Sequence, residues 1–487
     1  MKIGFDNAKY IEKQTASILE RIEKYNKLYL EFGGKLFDDL HAARVLPGFD
    51  PNSKTKILRK LKDKAELIFC IGAPDIEKNK IRADFGITYG NELIRLMQAI
   101  RKLGMLVNCV VITQYSGQPS ADMYRNQLEQ MGEKVHVHTI TKGYPNDVDM
   151  IVSDKGYGAN SYIETTKPLV IVNAPGPSSG KLATCLSQIY HEYKRGINAG
   201  YAKFETFPVW NLPLKHPVNV AYEAATADIA DRNMIDYFHL EAYGISAVNY
   251  NRDMECFPVI RDILKRIKGA EMFKSPTDLS VNRVADCIID EDVIKEASRQ
   301  EIIRRYYKTY NEYKMGRVDI DTALRVEVLM NSLGAKPSER RVAQAALKRA
   351  AEVQNPVVAI ELANGDIVTG RGKGAINSSA AALMNALKKL AGITDRLNLI
   401  SPESIAAIEK LKRENLGLTQ SKLNLQEALI ALAFSASTMD LPAKAMAVLS
   451  QLANCEAHST IMLAESEVQV YNRLGINLTC ESEFADS

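Results

Sequence analysis

The chain has 487 residues, enough for about three domains at roughly 150 residues each. Lys plus Arg number 62 and Asp plus Glu 59, a formal net charge of +3, with 25% charged and 46% hydrophobic residues. This ordinary globular balance excludes a disordered chain, and it excludes a dedicated nucleic-acid binder, which concentrates basic residues into a strong field. Seven cysteines, none in a Cys-x-x-Cys pair, fit neither a zinc knuckle nor a disulfide framework. Met1–Asn7 lacks the apolar core of a signal peptide, and no apolar run approaches the ~20 residues of a membrane helix. The expectation is a reduced, soluble, cytoplasmic protein with neither nucleic acid nor membrane as partner.

Residues 8–26 carry Ile11, Ile18, Leu19 and Ile22 at helical spacing, and Lys27–Phe32 reads as a strand stopped by Gly33-Gly34. From residue 64 apolar runs alternate with helical periods. Strands are expected at 67–71, 106–112, 135–140, 150–152 and 169–172, with weaker ones near 203–209 and 245–250. Helices are expected at 92–103, 121–131, 181–195, 220–238 and 257–268. Continuous apolar strands alternating with helices indicate a mainly parallel, doubly wound α/β sheet, Rossmann-like or P-loop-like, with ligands at the strands' carboxyl ends.

Residues 290–353 read as a helical bridge rich in Arg, Lys, Glu and Ala. Beyond it Val357–Leu362 and Asp366–Thr369 flank Asn364-Gly365, the favoured two-residue hairpin pair. Helices near 378–391, 424–436, 442–453 and 465–474 and strands at 458–463 and 476–480 complete a smaller α+β domain. The expected domains are 1–289, with a further division between 165 and 166, then the bridge 290–353, then 354–487.

The most informative stretch is Leu169-Val170-Ile171-Val172-Asn173-Ala174-Pro175-Gly176-Pro177-Ser178-Ser179-Gly180-Lys181-Leu182-Ala183-Thr184, a strand, a small-residue loop and a helix. Phosphate cradles are built this way: small residues let backbone N–H groups approach oxygens, and the helix N-terminus adds about half a positive charge. The Gly-x-x-x-x-Gly-Lys-Ser/Thr pattern is imperfect, with Pro175 and Leu182 at two of its positions, and the nearest hydroxyls are Ser178, Ser179 and Thr184. The competing reading is a tight strand-to-helix turn with a solvated lysine.

Other stretches are weaker. Gly33-Gly34-Lys35, with His41 and Arg44 beyond, makes a second anion turn or an ordinary surface turn. Gly72-Ala73-Pro74-Asp75, followed by Lys78, Lys80, Arg82 and Asp84, places mixed charge at a strand's carboxyl end. Thr113–Pro119 forms a polar rim of the same cleft. Phe207–Pro213, with the only tryptophan, reads as a pocket wall or as core. Gly370–Gly374 before Asn377 reads as an anion loop or a flexible one. His136 and His138 share a strand face without an acid or thiol partner in sequence.

Tyr29-Leu30-Glu31-Phe32-Gly33-Gly34-Lys35, His41-Ala42-Ala43-Arg44-Val45-Leu46-Pro47-Gly48, Val111-Ile112-Thr113-Gln114-Tyr115, Tyr201–Pro213, Ala174-Pro175-Gly176-Pro177 and Glu456-Ala457-His458-Ser459-Thr460 are distinctive together. They resemble a bacterial family, that of the domain of unknown function 1846, along essentially the whole chain. The resemblance implies a cytosolic bacterial protein with an α/β N-terminal region and a smaller C-terminal domain, and it implies no particular activity. Ser178 stands where the family's loop carries glycine.

The leading expectation is a protein that binds a nucleotide or another phosphorylated small molecule, leaning to a phosphoryl-transfer enzyme, a transferase or hydrolase. Gly176, Ser178, Ser179, Gly180, Lys181 and Thr184 would hold phosphate. Asp75, Arg82 and Asp84 would sit across the cleft and act with Lys181, which neutralises developing charge. A nucleotide with magnesium suits these parts, although no metal ligands are identified. The alternatives are a non-catalytic metabolite sensor and an oligomeric structural protein. In the latter the loop's amides would be satisfied by the chain itself, and the Ala- and Leu-rich helices at 378–391 and 424–453 would supply a homo-oligomer face or equally domain core.

Overall fold

The computed structural model describes residues 2–82, 86–372, 374–419 and 421–484. Its residue contacts divide the chain into two compact units, 2–298 and 299–487. The first is built on a seven-stranded sheet of β1 (Lys27–Phe32), β2 (Ala65–Gly72), β3 (Leu106–Tyr115), β4 (Val135–Thr139), β5 (Leu169–Asn173), β6 (Ala199–Phe204) and β7 (Ser280–Val281). The strand order is β7-β6-β1-β5-β2-β3-β4, and each of these pairings is parallel.

Every residue of β1, β2 and β5 is buried. Strands covered on both faces need apolar side chains in both directions, which is why their sequences run apolar without alternation. On one face Tyr29, Val170, Val172 and Tyr201 pack against Leu186 and Ile189 of the helix Lys181–Lys194 and against Ile260 and Ile263 of the helix Asn251–Lys268. A buried ion pair ties that layer together: Lys27 Nζ donates to Glu192 Oε1 at 2.8 Å, and so does the Tyr29 hydroxyl at 2.8 Å.

The strand order sets where the chain diverges. After β2 the chain moves to β3 on one side; after β5 it moves past β1 to β6 on the other. The neighbours β6 and β1 also send the chain in opposite directions, to β7 and to β2. Each divergence opens a crevice at the carboxyl ends of the strands.

Two local expectations are corrected. Residues 150–152, expected as a strand, instead form the end of a short helix, Val148–Ile151, and its C-cap Val152; the Asp147 side chain accepts from the Met150 N–H at 2.9 Å and caps its start. The helix expected over 220–238 stops at Ala225, and residues Asn233–Ile235 pair antiparallel with Val248–Tyr250. Tertiary pairing overrides local propensity there. Among the described residues no helix is long and apolar enough to cross a membrane.

His138, on β4, is buried, and its Nε2 lies 3.2 Å from the Ser161 carbonyl. Its Nδ1 has no hydrogen-bond partner among the described residues, so protonation would bury an unanswered N–H. Burial lowers its pKa to about 4. Between that value and the ordinary ~6.5 the unfolded chain binds the extra proton, so this contribution is complete above pH ~6.5, fades as pH falls from there, and is gone below about 4. Denaturation with urea is expected to show about 2–3 kcal/mol lost between pH 7 and 4.5 from this ring. His138→Gln should remove that part of the slope, and an unaltered slope would exclude the ring as its source.

The unit 299–487 contains the helices Ile320–Ser332 and Arg341–Val353 and a mixed sheet of β8 (Val357–Glu361), β9 (Ile367–Arg371), β10 (Glu456–Ser459) and β11 (Asn477–Cys480). Its order is β9-β8-β10-β11; β8 is antiparallel to both neighbours and β10 is parallel to β11. Asn364-Gly365 turns the β8–β9 hairpin, with Gly365 at φ +87°. The helices Ser378–Leu390 and Leu425–Ala436 cover one face with Leu383, Leu387 and Leu432. Arg340 is buried at the start of β10 and β11. It donates to the carbonyls of Ala457 (3.0 Å) and Asn477 (2.7 Å), to Thr479 Oγ1 (2.8 Å) and to Glu456 Oε2 (2.5 Å).

Candidate functional site

The loop 174–180 leaves β5 at one of the two divergences and enters the helix Lys181–Lys194. Its carbonyls are held by the protein. Thr113 Oγ1 donates to Ser179 O at 2.9 Å, Gln114 Nε2 to Ser178 O at 3.0 Å, and Ser179 Oγ to Gly176 O at 3.0 Å. Most of its amides are not held. Among the described residues, the backbone N–H groups of Gly176, Ser178, Gly180, Lys181, Leu182 and Ala183 donate no hydrogen bond, whereas Ser179 lies in a turn back to Gly176. Pinning the carbonyls inward leaves a row of donors at a helix N-terminus, an arrangement that suits an anion.

Two glycines are required by packing. A Cβ on Gly180, whose φ is +79°, would lie 2.7 Å from Thr113, and one on Gly176 would collide with the Tyr89 ring. Ser178 takes φ +59°, a left-handed conformation that glycine adopts freely and serine does not.

Lys181 turns toward β1, where its Nζ lies 3.8 Å from Glu31 Oε1. Glu31 Oε2 accepts from the Tyr201 hydroxyl at 2.8 Å. Lys203, the register partner of Glu31 on β6, contacts Glu205 at 2.6 Å and Asp253 at 2.5 Å. Burial alone would lower the Lys203 pKa, but the carboxylates of Asp253, Glu205 and Glu31 raise it well above its ordinary value and keep it charged. Burial raises the Glu205 carboxyl, against the lowering pull of Lys203.

The residues expected across the cleft separate. Asp75 pairs with Lys80 at 3.2 Å; Lys80 lies 4.9 Å over the Tyr89 ring, and that ring abuts Gly176, so this pair flanks the loop. Arg82 is held by the buried Glu92, which Arg95 also contacts at 2.7 Å. Asp84 lies outside the described residues. Thr184 is fully buried beneath the loop, where Cys70 Sγ donates to its hydroxyl at 3.4 Å. Ser179 is buried as well, whereas Ser178 is exposed.

His41 packs edge-on against Phe207 and Tyr222, at 5.5 and 5.7 Å, and Phe207, Pro208 and Val209 are buried, so this part of the segment is core. In the loop at 370–374, Lys373 lies outside the described residues. Among the described residues no group of three His, Cys, Asp or Glu is placed to hold a metal. Reading the sequence for site residues passed over Glu31, Lys203, Glu205 and Asp253. For Glu31, Lys203 and Glu205 the signal was charge at the carboxyl ends of otherwise apolar strands; Asp253, in the first turn of a helix, gave none.

Fold and site together define a parallel α/β protein with an amide-lined strand-to-helix loop in its crevice. The chain belongs to the family of the domain of unknown function 1846. The family's N-terminal profile, described as Domain of unknown function DUF1846, N-terminal, matches residues 3–334, and its C-terminal counterpart matches residues 338–487. The chain is 55% identical to a "UPF0371 protein" of Clostridium tetani and 54% identical to one of Clostridium botulinum (strain ATCC 19397 / Type A). Each comparison covers 99% of this chain and 98% of the relative. A Clostridioides difficile relative of the same description is 53% identical over the same shares.

Proposed function

We propose that this protein binds a nucleotide or another phosphorylated small molecule in the crevice at β5, with the loop 174–181 as a P-loop-like phosphate cradle. The observation that carries the reading is the set of six backbone N–H groups left without acceptors around Gly180, beside the ammonium of Lys181. Lys181, Leu182 and Ala183 are the open donors of any helix start; Gly176, Ser178 and Gly180 extend the row into the loop. The phosphate would draw Lys181 from Glu31, whose 3.8 Å contact is a loose one. Phosphoryl transfer is the reaction these parts suit, with Lys181 neutralising charge on the transferred group and Ser178 the exposed hydroxyl of the loop.

Thermal melting against nucleotides and phosphorylated metabolites, with and without magnesium, tests this. A ligand at ~100 times its dissociation constant adds about 2.7 kcal/mol. Lys181→Ala should weaken that ligand about 10- to 100-fold, the worth of one charged hydrogen bond of about 1.5–3 kcal/mol. If no phosphate compound shifts the melting temperature, the cradle reading fails. Turnover of the bound ligand separates an enzyme from a sensor.

A further inference from the structure

The unit 299–487 holds a cavity of about 450 Å³. That size lies within the range of small-molecule sites, about 300–1,000 Å³. Tyr306 and Tyr307 of the helix Glu291–Lys314, Ala343 and Leu347 of the helix Arg341–Val353, Lys336 and Glu481 line it. Glu481 directly follows β11, and its N–H donates to the Ser459 carbonyl at 2.9 Å, which fixes it beside the end of β10.

Next to Glu481 lies His458, fully buried and the register partner of Thr479. Arg340 Nε donates to Thr479 Oγ1 at 2.8 Å, so this hydroxyl has a single proton to give. His458 Nδ1 lies 2.9 Å from it and the Ala457 carbonyl 3.2 Å. The nearer acceptor takes that proton, and the ring then carries its own on Nε2. Nε2 lies 3.3 Å from Glu481 Oε1 and completes no hydrogen bond among the described residues. Burial lowers the His458 pKa and keeps the ring neutral, so it does not cancel the carboxylate beside it. The same ring meets Tyr307 edge-on, with centroids 4.9 Å apart.

Two opposite charges therefore line one cavity without pairing. Among the described residues no lysine or arginine lies within ion-pair distance of Glu481, and no carboxylate lies within that distance of Lys336. Tyrosine rings in the cavity wall suit a cation, and Ala343 and the exposed Leu347 add an apolar wall. A ligand with only a cation would meet Lys336 as a like charge, and one with only an anion would meet Glu481. A zwitterion answers both poles.

We infer that this cavity binds an α-amino acid with an apolar side chain, its ammonium on Glu481 beside the tyrosine rings and its carboxylate on Lys336. The site is independent of the phosphate reading of the loop 174–181. Calorimetric titration of the full chain with L-leucine, 4-methylpentanoate and 3-methylbutylamine tests it; the second compound lacks the amine and the third the carboxylate.

L-Leucine is expected to bind, and each analogue to bind about 10- to 100-fold more weakly, the worth of one charged hydrogen bond. In Glu481→Gln the advantage of leucine over 4-methylpentanoate should fall to within about twofold. In Lys336→Met its advantage over 3-methylbutylamine should fall likewise. Lys336 is exposed, so this variant decides alone should the first fail to fold. A chain that binds neither L-leucine nor L-phenylalanine overturns the site, as does leucine binding that Lys336→Met leaves unchanged. An amine that binds as tightly as leucine would make the cavity a plain cation site and overturn the assignment too.

Discussion

Arg340→Met is expected to cost about 3–5 kcal/mol of stability in the unit 299–487, because it removes a buried guanidinium whose donors are spread over four acceptors. The Ala457 and Asn477 carbonyls and Thr479 Oγ1 would each lose a buried donor. Glu456 would keep Arg304, with both oxygens at 3.1 Å, and Asn477 Nδ2 at 2.9 Å, so the loss falls mainly on the strand ends. Arg340→Lys should lose most of the same stability, since a single ammonium does not reproduce a planar fork. For a unit of this size each kcal/mol is worth about 2–4 °C in melting temperature. Urea denaturation followed by circular dichroism measures the cost directly, and a loss below about 1 kcal/mol for Arg340→Met would refute the account.

Gly180→Ala is expected to damage stability and ligand response together. The new Cβ would take a left-handed backbone, worth about 1–2 kcal/mol, and would press on Thr113 at 2.7 Å, the residue that holds Ser179 O. Strain and crowding together should cost about 2–4 kcal/mol. Relief by movement of the loop would scatter the free amides, so the melting shift with phosphate compounds should vanish even at ligand concentrations that saturate the wild type. A variant that melts several degrees lower yet keeps the full shift would separate the cradle from Gly180. Ser178→Gly has the opposite sense: it removes a left-handed serine and should leave the loop easier to form.

The parts of the fold legible in the sequence are those governed by local pattern. The runs 67–71 and 169–172 are short, apolar and bounded by turn residues, and both became central strands. The hairpin at Asn364-Gly365 followed from turn chemistry. Met150–Val152 was not legible because three apolar residues carry no period; the deciding residue was Asp147, just outside them.

The site divides the same way. The loop announced itself by its small residues, since backbone recognition leaves a compositional trace. Glu31 and Lys203 left only single charges at the ends of apolar strands and Asp253 left none, because the charges that meet there come from elements far apart in the chain. Thr184 shows the reverse error: a hydroxyl near the loop in sequence is carried by helical rotation into the core, against Cys70.

The strand order also governs how this chain is made. β1 is the first strand to leave the ribosome, yet its neighbours are β5 and β6, with Leu28 paired to Leu169 on one side and to Gly200 on the other. At about 5–20 residues per second, β1 waits about 7–30 s for the first of them. During that interval an apolar segment with two open edges is exposed to other nascent chains. Such long-range pairing slows folding, because loop closure precedes any gain from contact. The β1, β5 and β6 part of the sheet that builds the crevice is therefore assembled late, after β2, β3 and β4 have been made, and chaperone demand should concentrate in that window of synthesis.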